Sequence, residues 1–362
     1  MKKVLFSAAV AVAAMVLSSC GGSQSETIIV KGSASKFDSL SYALGANIAN
    51  DVTTQMSDMP FDYQQIKKGF EDGALGGGDM TAEDALSELQ NYFMTVRPER
   101  MQIVAQKRAE ADSIAIASGK TPEQVAADNA LLKADADMFV DEAQRELISY
   151  SFGLNLGDNI SNSELPIHVY WFNEAIQNVL DADVKMTNDE ALAFLQNYFT
   201  VVRPAQMKAL SEEKLAEVAK MKGVIKTESG LLYRIESEGD MSVKANDDRD
   251  VIKVNYTGRL MRNGNVFDTS RFADRTDEQK AALQAQGNEG WDQDQPIEFP
   301  LNGVIKGWTE GMKFVGKGGS ITLWIPSELA YGESARGQIQ ANDALEFFVE
   351  VVDVTPFEAP AE

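Results

Sequence analysis

Val251-Ile252-Lys253-Val254-Asn255-Tyr256-Thr257-Gly258-Arg259-Leu260 reads as a β-strand, in a region where the apolar pattern shortens towards a period of two and turn residues become frequent. The change sets in at Ser229. Residues 231–235, 297–301, 320–325 and 344–354 carry the same strand signal. Between the third and fourth of these five strands, Val304-Ile305-Lys306-Gly307-Trp308-Thr309-Glu310-Gly311-Met312 reads as a short helix. This order predicts a curled antiparallel sheet with one helix against its concave face.

Upstream the chain is helical and duplicated. Ser39-Leu40-Ser41-Tyr42-Ala43-Leu44-Gly45 recurs as Leu147-Ile148-Ser149-Tyr150-Ser151-Phe152-Gly153. In the same order, Leu89-Gln90-Asn91-Tyr92-Phe93 recurs at 195–199 and Val96-Arg97-Pro98 recurs as Val202-Arg203-Pro204. Two copies are too few for a solenoid. Thr81 with Asp84, and Thr187 with Glu190, place a capping residue three positions ahead of an acid. Behind Thr81, Ala82, Ala85, Leu86, Leu89, Tyr92, Phe93 and Val96 fall at helical spacing. Pro98 and Pro204 are expected to kink or end these helices, since proline lacks the donor and clashes with the preceding turn. A further helix is predicted to start at Thr121-Pro122-Glu123 and run towards Glu146, and residues 205–222 form a charged helix stopped by Gly223. The fold class is α+β: two all-α helical repeat units followed by the curled sheet and its helix. The aromatic stripes of the repeats read as core, and Gly73-Ala74-Leu75-Gly76-Gly77-Gly78 lacks the Gly-Lys-Ser/Thr of a phosphate loop.

At the N-terminus, Met1-Lys2-Lys3 precedes an apolar run over residues 4–17, too short to span a ~30 Å hydrocarbon core but suited to a secretory leader. It ends in Leu17-Ser18-Ser19-Cys20, which resembles a bacterial lipobox, and Cys20 is the single cysteine of the chain. The organisation expected is a lipoprotein signal peptide over 1–19, a flexible tether over 20–36, helical units over 37–140 and 141–222, and the sheet domain over 223–358. Lipidation at Cys20 implies a chain anchored to the bacterial cell envelope. Gly21 after the cysteine favours the outer membrane, on its periplasmic or surface face.

Composition excludes much chemistry. The 362 residues carry 33 Lys+Arg against 55 Asp+Glu, a formal charge of −22, which argues against nucleic acid as a partner. One cysteine and one histidine exclude structural zinc clusters, and no metal or cofactor is expected. His168 lies in an aromatic stretch without a nucleophile and carboxylate beside it, so it reads as structural.

The sheet region resembles the FK506-binding-protein (FKBP) family of peptidyl-prolyl isomerases. The motifs carrying the resemblance are Val254-Asn255-Tyr256-Thr257-Gly258, Val266-Phe267-Asp268-Thr269-Ser270, Val304-Ile305-Lys306-Gly307-Trp308, Leu329-Ala330-Tyr331-Gly332 and Leu345-Glu346-Phe347. The helical units are similar, on shorter blocks, to the N-terminal dimerisation region of the macrophage-infectivity-potentiator type of that family. The resemblance implies a pocket walled by Tyr256, Phe267, Ile297, Val304, Ile305, Ile339 and Phe347 with Trp308 as its floor. It also implies that the Tyr331 hydroxyl and the Ile305 N–H meet substrate carbonyls, with Asp268 at the edge. Such chemistry needs neither metal nor nucleophile. An Xaa-Pro bond turns over a barrier of ~18–20 kcal/mol, and the twisted amide is less polar than the planar one, so a dry apolar pocket favours it.

The sequence departs from the family pattern at Ile297, where an aromatic is usual, in the proline-free loop Glu333-Ser334-Ala335-Arg336-Gly337-Gln338-Ile339, and in a long insertion between Ser270 and Pro296. The insertion, with a short helix near Asp277, is expected beside the pocket as a lid or contact element; its Asp292 and Asp294 are too sparse for a calcium loop. The expected function is a lipid-anchored prolyl isomerase acting on unfolded or partly folded exported proteins. The alternative is a client-binding chaperone module with an idle pocket. Two helical units in one chain imply either an intrachain pseudo-dimer, leaving a monomer, or a homodimer.

Overall fold

In a computed structural model, residues 36–130 and 136–358 are described; the leader, the lipobox at Cys20 and nearly all of the tether fall outside them. Side-chain caps start the first helices. Asp38 accepts from the Ser41 N–H at 2.7 Å ahead of α1 (Ser39–Gln55), and Asp62 from Gln64 N–H at 2.9 Å ahead of α2 (Tyr63–Leu75). Thr81 accepts from Asp84 N–H at 3.1 Å ahead of α3 (Ala82–Asn91). Each cap satisfies a free end-group and is worth about 1 kcal/mol. Then follow α4 (Arg97–Ala117), α5 (Pro122–Ala130), α6 (Glu142–Asn162), α7 (Val169–Leu180) and α8 (Asn188–Asn197). These helices form one compact unit; a second begins at Tyr198. Among the described residues no helix is long and apolar enough to cross a membrane.

The helical unit is built by exchange between the repeats. α1 of the first repeat packs on α7 and α8 of the second, and α6 of the second packs on α2 and α3 of the first. Equivalent hydrogen bonds are made in both directions. Ser149 Oγ accepts from the Asp62 N–H at 2.9 Å, and Ser41 Oγ from the His168 N–H at 2.8 Å. The Tyr150 hydroxyl donates to Asp72 at 2.8 Å, and the Tyr42 hydroxyl to Asn178 at 3.0 Å. At the centre Phe70 and Phe172, both fully buried, stack with centroids 3.6 Å apart. Glycines let the backbones touch: a Cβ on Gly153 would stand 2.0 Å from the Ile66 carbonyl oxygen, one on Gly69 2.1 Å from that of Tyr150, and one on Gly45 2.3 Å from that of Phe172. His168, whose backbone N–H makes one of these bonds, stands directly ahead of α7 in this core.

Of the two outcomes expected at the prolines, an end to the helix is not the one observed: Pro98 and Pro204 each follow a π-helical turn, Tyr92–Val96 and Tyr198–Val202, and the chain runs on as helix. The wider turn makes room for a ring that would clash with an α-helical one. The helix expected from Thr121 to Glu146 is interrupted: a 3-10 turn covers Ala136–Met138, and α6 starts behind its own cap, Asp141, which accepts from Gln144 N–H at 2.8 Å.

The second unit holds α9 (Arg203–Val218) and an antiparallel sheet of order β1-β2-β8-β9-β4-β5, with β6 also on β4. The strands are β1 (Ile225–Lys226), β2 (Leu232–Ser237), β4 (Val251–Leu260), β5 (Val266–Thr269), β6 (Ile297–Pro300), β8 (Ser320–Ile325) and β9 (Leu345–Thr355). A separate ribbon pairs β3 (Asp240–Lys244) with β7 (Gly316–Lys317). The insertion carries α10 (Asp277–Gln286), and α11 (Lys306–Gly311) lies against β8. Gly307 and Gly311 are what bring α11 there, because a Cβ on either would stand 2.5 Å from Ile325 or Leu323. The α+β order read from the sequence is the observed one. The segment 203–218, grouped by the repeat pattern with the helices before it, packs in the unit of the sheet.

Candidate active site

Alternation along the strands selects the site. Tyr256 on β4 and Phe347 on β9 project to the side of the sheet that α11 covers, where Trp308 meets both. Ring centroids lie 5.3 Å apart for Tyr256–Trp308, 5.2 Å for Trp308–Phe347 and 5.6 Å for Phe267–Phe347, all edge to face. Such pairs add about 0.5–1.5 kcal/mol each beyond the area they bury. Gly258, paired with Phe347 across β4 and β9, is the gap they close over, since its Cβ would stand 2.7 Å from the Phe347 ring and 2.8 Å from that of Phe267. Tyr256, Trp308, Ile339 and Phe347 are buried, and Phe267, Val304, Ile305 and Tyr331 pack half-buried against them.

One residue was missed in the sequence. Ile297 stands 39% exposed on β6, and the ring this strand adds to the cluster is Phe299, 6.0 Å from Tyr256 and 5.7 Å from Trp308. Two residues apart, the two side chains leave the strand on the same side, so Phe299 was open to the same reading. The insertion, expected beside the pocket, has Arg275 near enough to act electrostatically on Tyr256. Its root is bound by Arg271 to Glu350 at 3.3 Å and over the Phe348 ring at 4.9 Å, and by Asp274 to Arg259 at 3.0 Å and to the Thr257 hydroxyl at 2.7 Å. Thr257, Arg259, Phe348 and Glu350 alternate with Tyr256 and Phe347, so these bonds root the insertion on the far face of the sheet.

The polar groups are few. The Tyr256 hydroxyl donates to Asp268 at 2.6 Å, and Asp268 stands exposed at the rim. Burial first, and the bonded Asp268 carboxylate second, push the Tyr256 phenol above its ordinary value of 10.0. Among the described residues the Trp308 indole N–H is buried without an acceptor, and neither the Ile305 N–H nor the Tyr331 hydroxyl is engaged. The site therefore offers an apolar bowl with free donors at its floor and wall, beside one carboxylate.

The family model described as FKBP-type peptidyl-prolyl cis-trans isomerase matches residues 243–352, and that of the domain amino terminal to it matches 37–130 and 145–235. The chain belongs to the FKBP-type peptidyl-prolyl cis-trans isomerases. It is 32% identical over 270 residues to the FKBP-type isomerase FkpA of Aeromonas hydrophila, covering 68% of this chain and 92% of that one. To the 22 kDa FKBP-type isomerase of Escherichia coli it is 34% identical over 57% of this chain and 93% of the other. The crystal structure of FkpA from Escherichia coli matches 50% of this chain and 79% of its own at 34% identity, with a TM-score of 0.35.

In this FKBP-type chain the raised Tyr256 phenol has a consequence for stability. Above pH about 10 the unfolded chain loses the phenolic proton while the folded one keeps it, so the unfolded state binds fewer protons and stability falls as pH rises. Thermal midpoints of the wild type and Tyr256→Phe measured from pH 8 to 11.5 should differ in this limb: the variant is less stable at pH 8, by about 1 kcal/mol for the lost bond, and loses less above pH 10. Parallel curves would show that Tyr256 does not hold its proton in this way.

Proposed function

We propose that this FKBP-type isomerase turns Xaa-Pro bonds in the bowl formed by Tyr256, Phe267, Phe299, Val304, Ile305, Trp308, Ile339 and Phe347. The observation that carries the reading is the edge-to-face ring cluster around the Tyr256–Asp268 bond, with unengaged donors within it. A prolyl ring in the bowl leaves water behind, and the ground-state amide loses solvation that the twisted one needs less. The Tyr331 hydroxyl takes the carbonyl before proline and the Ile305 N–H the carbonyl after it. Asp268, at the rim, biases the amide electrostatically. Nothing in this sequence of events breaks a covalent bond, so no metal, cofactor or nucleophile is called for.

The substrates are unfolded or partly folded exported proteins. The leader and Cys20 support a lipoprotein held to the envelope, in the outer membrane, with residues 223–358 as the catalytic domain beyond two helical units. The exchange of helices between repeats supports a monomer: the surfaces that would bind a second copy are met within the chain. The chain starting at Gly21 should accelerate cis–trans exchange of a short Xaa-Pro peptide and scatter light as a single chain. Suppressed aggregation of an unfolded protein without any acceleration would replace the enzyme reading by that of a binding module. A stable dimer would overturn the monomer.

A further inference from the structure

We infer that Ser211 is a positioning residue for the isomerase pocket: from α9 it fixes the loop that carries Ile339, and so sets which side chain before proline the pocket accepts. The inference rests on the reading above that Tyr331 and Ile339 line the pocket.

Ser211 sits in a charged helix, yet it is only 6% exposed. Its hydroxyl donates to the Asn342 carbonyl at 2.8 Å and accepts from the Ala344 N–H at 2.9 Å, so one oxygen spans the end of the loop. Asn342 between these contacts holds a φ of 66°, a left-handed conformation that a non-glycine residue keeps only when its surroundings enforce it. They do so from α9 as well: the Asn342 side-chain amide donates to the Pro204 carbonyl at 3.1 Å, and Arg203 Nε donates to the Gln340 side chain at 3.2 Å. The Asn342 N–H closes the loop at its base by donating to the Gly332 carbonyl at 2.8 Å, one residue after Tyr331.

On its sheet side the same loop is held by Arg262, whose buried guanidinium pairs with buried Asp343 and also donates to the Gln338 carbonyl at 3.1 Å. Asp343 in turn accepts from the Gln340 N–H at 2.7 Å. Ile339 lies within the tight turn that Arg336 and Ile339 close by reciprocal backbone bonds of 2.8 and 3.0 Å. Between Pro326 and Pro356 the chain has no proline, so no ring restricts the loop from within. Its order is supplied from outside, by the helix on one side and the ion pair on the other. Without the Ser211 hydroxyl, Asn342 is released from its left-handed state, and the loop moves with Ile339 on it.

The test compares kcat/KM for two peptides that differ only before proline, Leu-Pro and Ala-Pro, using the chain starting at Gly21. The ratio of the two values does not depend on the fraction folded, so it separates positioning from loss of stability. Because an error of about 1 Å in a site costs up to 10²-fold, Ser211→Ala is expected to lower kcat/KM for the better peptide about tenfold and to shift the ratio about threefold or more. Ser211→Thr, which keeps the hydroxyl, should stay within about twofold of wild type on both counts. Asn342→Gly, which keeps the left-handed backbone and removes the tie to Pro204, should shift the ratio the same way by less. An unchanged ratio in Ser211→Ala overturns the inference; if that variant does not fold, an unchanged ratio in Asn342→Gly does so. A wild-type chain without catalysis would instead overturn the reading of the pocket itself.

Discussion

Replacing Tyr331 by Phe and Asp268 by Ala in one chain is expected to lower kcat/KM for a short Xaa-Pro peptide on the order of 10²-fold. In the mechanism proposed above, both groups stand where charge and hydrogen-bonding change as the amide twists. Planar, the substrate carbonyl carries the partial charge of resonance; twisted, it loses that charge while the nitrogen becomes pyramidal and more basic. In the proposed mechanism the hydroxyl at the carbonyl and the carboxylate at the rim act on this difference beside the apolar burial that the rings supply. The rings remain, so substrate still binds and part of the acceleration survives. The structural cost is small: Asp268 is exposed and its loss frees one bond, that of the Tyr256 hydroxyl, worth about 1 kcal/mol. For a domain of this size that lowers the thermal midpoint by about 2–4 °C, so activity and folding are separable at room temperature. Exchange spectroscopy on the peptide gives the rate. A loss of less than about threefold would mean that apolar burial alone performs the catalysis.

Gly153→Ala is expected to destabilise the helical unit by about 3 kcal/mol or more, at the upper end of overpacking effects. The added methyl would stand 2.0 Å from the Ile66 carbonyl oxygen and 2.8 Å from the Phe70 nitrogen, backbone atoms that no rotamer change can move. α6 and α2 must part, and the stacked Phe70 and Phe172 beneath them lose their contact. Gly45→Ala, at the equivalent crossing of α1 on α7, should behave alike, its Cβ meeting the Phe172 oxygen at 2.3 Å. Denaturant titration followed by helical circular dichroism measures the loss, and peptide isomerisation should persist, since the ring cluster lies in the other unit. A cost under about 1 kcal/mol for Gly153→Ala would show that the crossing is looser than described.

Those glycines show where sequence reading stops. Periodicity reveals that a helix has an apolar face but not which helix covers it, so the repeat was legible while the exchange of α1 and α6 between the repeats was not. Gly69, Gly73, Gly153 and Gly157, spaced by four, look in sequence like weak points of a helix; they are where two helices touch. The strands at 251–260 and 320–325 were legible to the residue because alternation, length and flanking turns all agree there. The short strands β1, β3, β5 and β7 were not, since two to five residues carry too little pattern. Most of the ring cluster was visible as an ordered set of motifs. Phe299 was passed over for Ile297, and Ser211 was hidden because a serine in a charged helix looks like a residue facing water. The insertion was placed beside the pocket by its position in the chain; the side-chain parity of Thr257 and Arg259, which holds its root on the other face, was not read.

The exchanged repeats also change what a mutation can do. In a pair assembled from two identical chains every substitution is made twice, once on each side of the axis, and both must be tolerated together. Here each side is encoded separately, and the two have already parted: Tyr150 donates to Asp72, while its counterpart Tyr42 donates to the neutral Asn178. On the acidic side the phenol is held up to about 12, by burial first and by the Asp72 bond next. Because both halves sit on one chain, dilution does not part them, and a change that weakens one half can be retained while the other keeps the fold closed.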